Sequence, residues 1–458
     1  TGGTVGALAG YNTGTVTNVA AHDVSVHAYN LSAAGGLVGA NRGGTLEHVS
    51  ASGQVYGDNN TASLGGLVGE NVGQNGKVAT IRDGHANMRV TVDGTGTAGG
   101  LVGDNDGLID ASSSAGNVIA TGDSGMAGGL VGINEGNGVI SNSSSRSSVT
   151  ARNNAGAGGL VALNFGVVRN AQASGKVTVG NDGVAGGFAG YNFGEIDASS
   201  ADGDVVAGDR ARVGGFAGSN SSTIGASQAH GNVSAGRSSS AGGFVGNNTG
   251  MLDTATATGN VNAGDDSKAG GLAGINTAQI HSAQAHGNVT TGRRSWAGGL
   301  VGWNSGNLDT ASAEGSVNAN DDSIVGGLAG FNRGKIDASR ATGNVHAANR
   351  SSAGGLVGTN DGGTINASRA SGTVLAGDNG LVGGLAGDNR GTIRQSQASG
   401  DVTTGNNGEA GGLVGHNTGT IAASSATGKV RAGRSSSAGG LIGMNVGQVT
   451  QSKAAGNV

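Results

Sequence analysis

Ala185-Gly186-Gly187-Phe188-Ala189-Gly190-Tyr191-Asn192 is one copy of a phrase that returns along the whole chain, and its interval decides the fold. With the apolar residue after the paired glycines as an anchor, copies fall at Leu8, Leu37, Leu67, Leu101, Leu130, Leu160, Phe188, Phe216, Phe244, Leu272, Leu300, Leu328, Leu356, Leu385, Leu413 and Leu441. The spacing is 29 to 34 residues up to Leu160 and 28 thereafter, with one 29 where Gly362-Gly363 adds a residue. A fixed period in this range marks a solenoid, whose units bury their apolar faces only against neighbours. Because such an array grows by stacking, the 458 residues read as one repeat domain, 1–458, with irregular coils over 1–159 and regular coils over 160–458.

Strands, not helices, build the unit. Short Val/Ile/Thr segments alternate with Gly and Asn, and no apolar stripe of helical period is long enough for a helix. Counting from the anchor turns the sequence into columns. Position +8 holds Ile196, Ile224, Leu252, Ile280, Leu308 and Ile336; position +13 holds Ala201, Ala229, Ala257, Ala285, Ala313 and Ala341; position +17 holds Val205, Val233, Val261, Val289, Val317 and Val345. Positions +13, +15 and +17 share parity, which places Ala, Gly and Val on one interior strand face. Position +18 varies freely and points outward. The reading is all-β, a parallel β-helix of about 16 coils of about 28 residues, with three short strands per coil. Like residues then stack about 4.8 Å apart, for a rod on the order of 75 Å. The paired glycines and the glycine at +6 are expected at corners that need positive φ or a close approach.

Position +4 is Asn in all sixteen copies, among them Asn192, Asn220, Asn248, Asn276, Asn304 and Asn332. An amide that satisfies its neighbours above and below makes this an internal Asn ladder. A row of sugar-binding amides is the other reading, and exposure of these side chains would favour it.

Composition removes several classes. The 98 glycines follow no triplet period and there is no proline, so a collagen helix is excluded. With no cysteine there is no disulfide framework or thiolate metal site. The 25 basic and 30 acidic residues are nearly balanced, so no polyanion partner, nucleic acid included, is implied. No apolar run approaches the roughly 18 residues of a membrane span, so membrane insertion is not expected.

The phrase AGGLVGxNxGxI resembles the GLUG motif of large secreted bacterial surface proteins, including filamentous-haemagglutinin-like exoproteins of the two-partner secretion type. The resemblance spans essentially the whole chain. It implies a right-handed parallel β-helix, export through an outer-membrane transporter, and a secreted location at the bacterial cell surface or in the extracellular matrix. It further implies adhesion, cell aggregation or biofilm-matrix binding, with an exopolysaccharide, a surface glycan or a host or bacterial surface protein as partner. The chain starts and stops within the phrase, so it is expected to be a fragment of a longer protein. A passive stalk presenting a distal binding or peptidase domain is the alternative.

Catalytic signatures are lacking. There is no HExxH, no Walker lysine motif, no GxSxG elbow and no GGxGxD repeat. Gly94-Thr95-Gly96-Thr97-Ala98-Gly99 fits GxGxxG by letter but opens no helix. A polysaccharide-cleaving enzyme on this fold would need clustered carboxylates, and at position +9 only Asp309 and Asp337 of the regular stretch are adjacent. We expect no enzyme activity, no catalytic residue and no cofactor. His230 and His286 lie two coils apart, roughly 10 Å, too far to share a metal, and the histidines are read as surface residues without a role. Calcium at Asp265-Asp266 and Asp321-Asp322 is disfavoured because the Arg293-Arg294 coil lies between them; no metal site is expected. These Asp and Arg pairs alternate in sign from coil to coil, which reads as a register and solubility device.

Candidate ligand-binding residues come from position +3, where apolar runs recur on successive coils: Ile133, Leu163, Tyr191 and again Ile275, Trp303, Phe331. Trp296 lies just before its anchor phrase. Tyr191, Trp296, Trp303 and Phe331 form the candidate surface for sugar rings or protein. The competing reading is that they cover a corner of the core. The lengthened coil between Leu67 and Leu101, with Gln74-Asn75-Gly76-Lys77, is a second place where an insertion could mark a binding face.

Overall fold

The computed structural model describes residues 3–30, 32–58 and 62–458, and among them every regular element is a β-strand. Contacts divide the chain into two compact units, Thr1–Asn232 and Val233–Val458. Each contains eight anchors, and both are parallel β-solenoids in which residues one coil apart are direct register partners. The expected stacking of like letters is what the pairing shows.

In the second unit the coil anchored at Leu300 is representative. It runs Trp296–Gly298, Val301–Asn304, Asn307–Asp309, Ser312–Ala313 and Val317–Ala319, five short pieces in three sheets. The first unit opens with three coils in which the last three pieces are fused into one strand each, Thr15–Ala28, Thr45–Gly57 and Thr80–Val92. Three strands per coil therefore describes these early coils literally. In the regular coils it describes three sheets whose third strand is broken at corners.

In the regular coils a corner at +10 separates the first two pieces of the third sheet and one at +22 follows the last piece, and each is made by a non-glycine residue with left-handed backbone. Thr254, Thr310 and Ala338 have φ of 54°, 55° and 46° at the first; Asp266, Arg294 and Asp322 have 59°, 52° and 62° at the second. Each such residue costs about 1–2 kcal/mol relative to right-handed backbone. The serine that follows compensates. The Ser323 hydroxyl donates to the carbonyl of Asp321 and accepts the Ser295 N–H from the preceding coil. Ser339 does the same at the other corner, donating to Asp337 and accepting from Ala311. These two serine files are buried.

The paired glycines do not adopt positive φ; close approach is the reason for them. A Cβ on Gly298 would run into the Val301 carbonyl oxygen, and one on Gly299 into the Gly327 carbonyl oxygen. Without side chains the backbone folds sharply between the first two sheets while the anchor inserts beneath. Leu300, Val301, Leu308, Ala313 and Val317 are fully buried. In the first unit Phe188 and Phe216 stack inside the coil with ring centroids 4.6 Å apart.

The Asn ladder runs unbroken within each unit. From Asn12 to Asn220 each side-chain amide donates to the Oδ1 of the Asn one coil on, at 2.8–2.9 Å. From Asn248 to Asn445 the distances are 2.7–2.9 Å. The same amide donates to a carbonyl of its own coil, Asn304 to Gly306 for example. Asn276, Asn304 and Asn332 are 0% exposed, so a sugar-binding row of amides is set aside.

Candidate functional surface

Alternation within Val301–Asn304 points Val301 and Asn304 inward and Trp303 outward. Register then places Ile275, Trp303 and Phe331 one above another, and Lys268, Trp296 and Ile324 one above another in the adjoining sheet. Between the two files lies a shallow groove lined by Lys268, Ile275, Trp296, Trp303, Phe331 and Arg333. All the aromatic members are half-buried.

Four of these side chains form a continuous pile. Lys268 Nζ sits 5.2 Å from the Trp296 ring centroid, Trp296 stacks on Phe331 at 5.3 Å with an 18° interplanar angle, and the Arg333 guanidinium lies 5.3 Å from the Phe331 ring. Arg333 is in turn held by Asp361 at 2.8 Å. Cation–π and stacked contacts of this kind contribute about 0.5–1.5 kcal/mol each. The pile covers its own corner, as the competing reading expected for Trp296 and Phe331. Trp303 stands beside it with no ring, cation or hydrogen-bond partner among the described residues.

Tyr191 belongs to a separate cluster in the first unit. Arg212 lies 5.7 Å from its ring, Phe193 stacks against it at 6.3 Å, and Phe165 stacks on Phe193 at 5.3 Å. Phe165 and Phe193 are 44% and 47% exposed. Column reading at +3 missed both because they occupy +5, a position that is polar or charged in most other coils. Two phenylalanines on consecutive coils at that position were the available signal.

The titratable groups are paired across coils. Arg294 grips Asp266 through two bonds of 2.7 and 2.8 Å, and Arg350 and Arg210 do the same to Asp322 and Asp182. These hydrogen bonds hold all three carboxylates below the usual range. Asp309 and Asp337 are register partners as expected, yet each has its own polar contact: His281 at 2.9 Å for Asp309, Lys335 at 2.9 Å and Asn366 for Asp337. The histidines do more than the sequence reading allowed. His230 binds Asp202 at 2.6 Å and His286 binds Glu314 at 2.9 Å, each one coil away. Among the described residues no group of three or more His, Asp or Glu side chains is arranged to hold a metal ion.

Asp104 is one of the groups outside this pairing. Glu70 is its register partner, and its Oδ1 is buried without a hydrogen bond. Desolvation, reinforced by Glu135, Glu70 and Asp106, pushes its carboxyl up to about 7. The insertion that follows Glu70 is a small hairpin in which Gln74 and Lys77 exchange two backbone bonds, and Gln74 accepts from the Tyr11 hydroxyl at 2.7 Å.

Comparison with known proteins finds the GLUG motif at residues 30–56, 123–150 and 406–431. No curated protein and no solved structure matches the chain.

Proposed function

We propose that this chain is an adhesive repeat module that acts outside a bacterial cell, at the surface or in the extracellular matrix, and binds glycan or protein through the groove around Trp303. The GLUG motif and the β-solenoid support a structural repeat protein; the adhesive role rests on the groove. The observation that carries it is Trp303 itself, a large half-buried aromatic lining the groove with no ring, cation or hydrogen-bond partner among the described residues. Indole faces stack on sugar rings and on apolar protein patches alike. Export by two-partner secretion through an outer-membrane transporter belongs to the same reading, as does a filamentous-haemagglutinin-like architecture.

One observation favours a second reading, a spacer without a ligand of its own. The Lys268–Trp296–Phe331–Arg333 pile satisfies itself, so two of the four candidate aromatics have a structural reason to be where they are, and Tyr191 has its own partners in Arg212 and Phe193. Trp303→Ala separates the readings. Under the adhesive reading the variant loses binding to glycans or surface proteins that the wild-type chain retains, while its thermal unfolding matches wild type. A wild-type chain that binds nothing on a glycan array or on whole cells would leave the spacer. A variant with lowered melting temperature would return Trp303 to the structural group.

A further inference from the structure

The exterior of the second unit obeys a rule of alternating sign at position +22, where Asp266, Arg294, Asp322 and Arg350 each meet the opposite charge one coil away. At the register position of Arg340, +12 in its coil and +13 in the longer Gly362-Gly363 coil, the rule is broken. Arg340 and Arg369 are direct register partners, like charge over like charge, an arrangement that destabilises a sheet. Arg340 is steadied by the Ser312 hydroxyl at 3.1 Å and lies 3.9 Å from Glu314. Arg369 has no ion pair and no side-chain hydrogen bond among the described residues, and both side chains are exposed.

These arginines form one wall of a cleft that continues past Gln397 and Ser425; its other wall is a file of hydroxyls, Thr342, Ser371, Ser399 and Thr427, one per coil at position +14, or +15 in the longer Gly362-Gly363 coil. Earlier coils carry Asp202 and Glu314 at that position; from Thr342 on it holds no acid. Charge along the chain changes in step. After Asp337 there are nine basic side chains against five acidic, whereas the chain as a whole has 25 against 30. Further along the chain, Asp401 is already taken by the Lys429 N–H and by Arg431.

We propose that this cleft binds a polyuronate, an extended polysaccharide with one carboxylate per sugar ring. Paired guanidiniums offer planar forks that match carboxylates. The neutral hydroxyl file and Gln397 suit ring hydroxyls, and coils about 4.8 Å apart repeat on the scale of successive sugar rings in a stretched chain. Two arginines beside four hydroxyls suit a polymer of low charge density better than a heavily sulfated one. The cleft has no aromatic side chain on which a nucleobase could stack, which disfavours single-stranded nucleic acid. This site lies on a different sheet from the Trp303 groove and does not depend on it.

The test uses the full chain with sodium polygalacturonate as the probe, titrated by biolayer interferometry at low and moderate salt. Arg369→Gln is the informative variant, because Gln already occupies the same position at Gln172, Gln228, Gln284 and Gln397 and so keeps the fold. Wild type is expected to bind, Arg369→Gln to bind at least tenfold more weakly with an unchanged or higher melting temperature, and Trp303→Ala to bind polygalacturonate as wild type does. Wild-type binding that is absent, or equal in Arg369→Gln, overturns the proposal. So does equal or tighter binding of dextran sulfate or of single-stranded DNA.

Discussion

Asn304→Ala is the sharpest test of how the coils are held in register. In the wild-type chain Asn304 accepts from Asn276 Nδ2 at 2.9 Å, donates to Asn332 Oδ1 at 2.8 Å and donates to the Gly306 carbonyl at 3.1 Å, with no exposure to water. Truncation removes all three bonds, but not all three partners suffer equally. The Gly306 carbonyl keeps the Lys335 N–H at 3.0 Å, and Asn276 keeps its bond to Ala278 with one of its two amide hydrogens. What remains orphaned is one amide hydrogen of Asn276 and the Oδ1 of Asn332. A buried group deprived of its partner costs about 1–3 kcal/mol, so two of them, with a small cavity, give about 4 kcal/mol.

Repeat arrays do not unfold as one cooperative unit. The assay therefore pairs guanidinium unfolding with native-state hydrogen exchange, which reads the loss locally. Exchange protection is expected to fall by two to three orders of magnitude at the amides of Val301–Asn304 and of its register partners Ala273–Asn276 and Ala329–Asn332, with little change four coils away. Asn304→Asp is expected to be at least as damaging, because it replaces a donor by an acceptor facing Asn332 Oδ1 and the Gly306 carbonyl. A shift below about 1 kcal/mol for Asn304→Ala, the scale of one exposed hydrogen bond, would refute the claim that the ladder holds the register.

Two further substitutions test the glycine argument and the electrostatic one. Gly298→Ala drives a Cβ into the Val301 carbonyl oxygen and should destabilise by about 1–3 kcal/mol, whereas a Cβ on Gly136 meets nothing within 4 Å and its φ is not left-handed, so Gly136→Ala should be neutral or stabilise by up to about 1 kcal/mol; urea midpoints compare the pair. Asp104 has a carboxyl raised from 3.8 to about 7 by desolvation and neighbouring acids. The folded chain therefore holds that proton more tightly than the unfolded one, and stability falls as pH climbs through that window. Asp104→Asn should add on the order of 2 kcal/mol at pH 8, after discounting for partial exposure, and nothing at pH 4; equal effects at both pH values would show that Asp104 is not protonated in the fold.

The architecture was legible because one backbone state is written sixteen times, so each column averages out the noise of any single coil. Asn304, Val317 and Ala313 could be placed from their columns alone. The corners could not. Thr254, Thr310 and Ala338 adopt left-handed backbone although nothing in a threonine or an alanine favours it; the cost is imposed by the sheets on either side, which are long-range. The serine files were visible as columns at +11 and +23, with Ser339 and Ser323 among their members, but a hydroxyl that caps a corner is spelled like any surface serine. For the paired glycines the sequence left positive φ and close approach both open; close approach is what the structure shows, and the left-handed corners fall on other residues, because these are separate uses of glycine. At the candidate surface Trp303 and Tyr191 were found by column, while Phe165, Phe193, Lys268 and Arg333 act diagonally, between columns, where counting from an anchor has no view.

Those diagonal contacts bear on what the surface residues mean. Position +3 carries Tyr, Ala, Glu, Asp, Ile, Leu, Ser, Asn, Trp, Phe, Thr, His and Met on the same strand in different coils, and the backbone beneath barely registers the change: Asn304, Asn332, Asn360, Asn389 and Asn417 keep ladder bonds of 2.7–2.8 Å under Trp303, Phe331, Thr359, Asp388 and His416. Many side chains at +3 are therefore compatible with the same ladder, and in the regular coils the register position of Arg340 likewise takes Gln, Ser, Thr, Arg and Lys beside a constant Ala. Where a position is free, a residue that is unfavourable there needs a reason other than folding. A tryptophan without a partner and two arginines stacked in parallel register are both unfavourable on stability grounds, so they are the places where an external ligand explains the sequence better than the solenoid does.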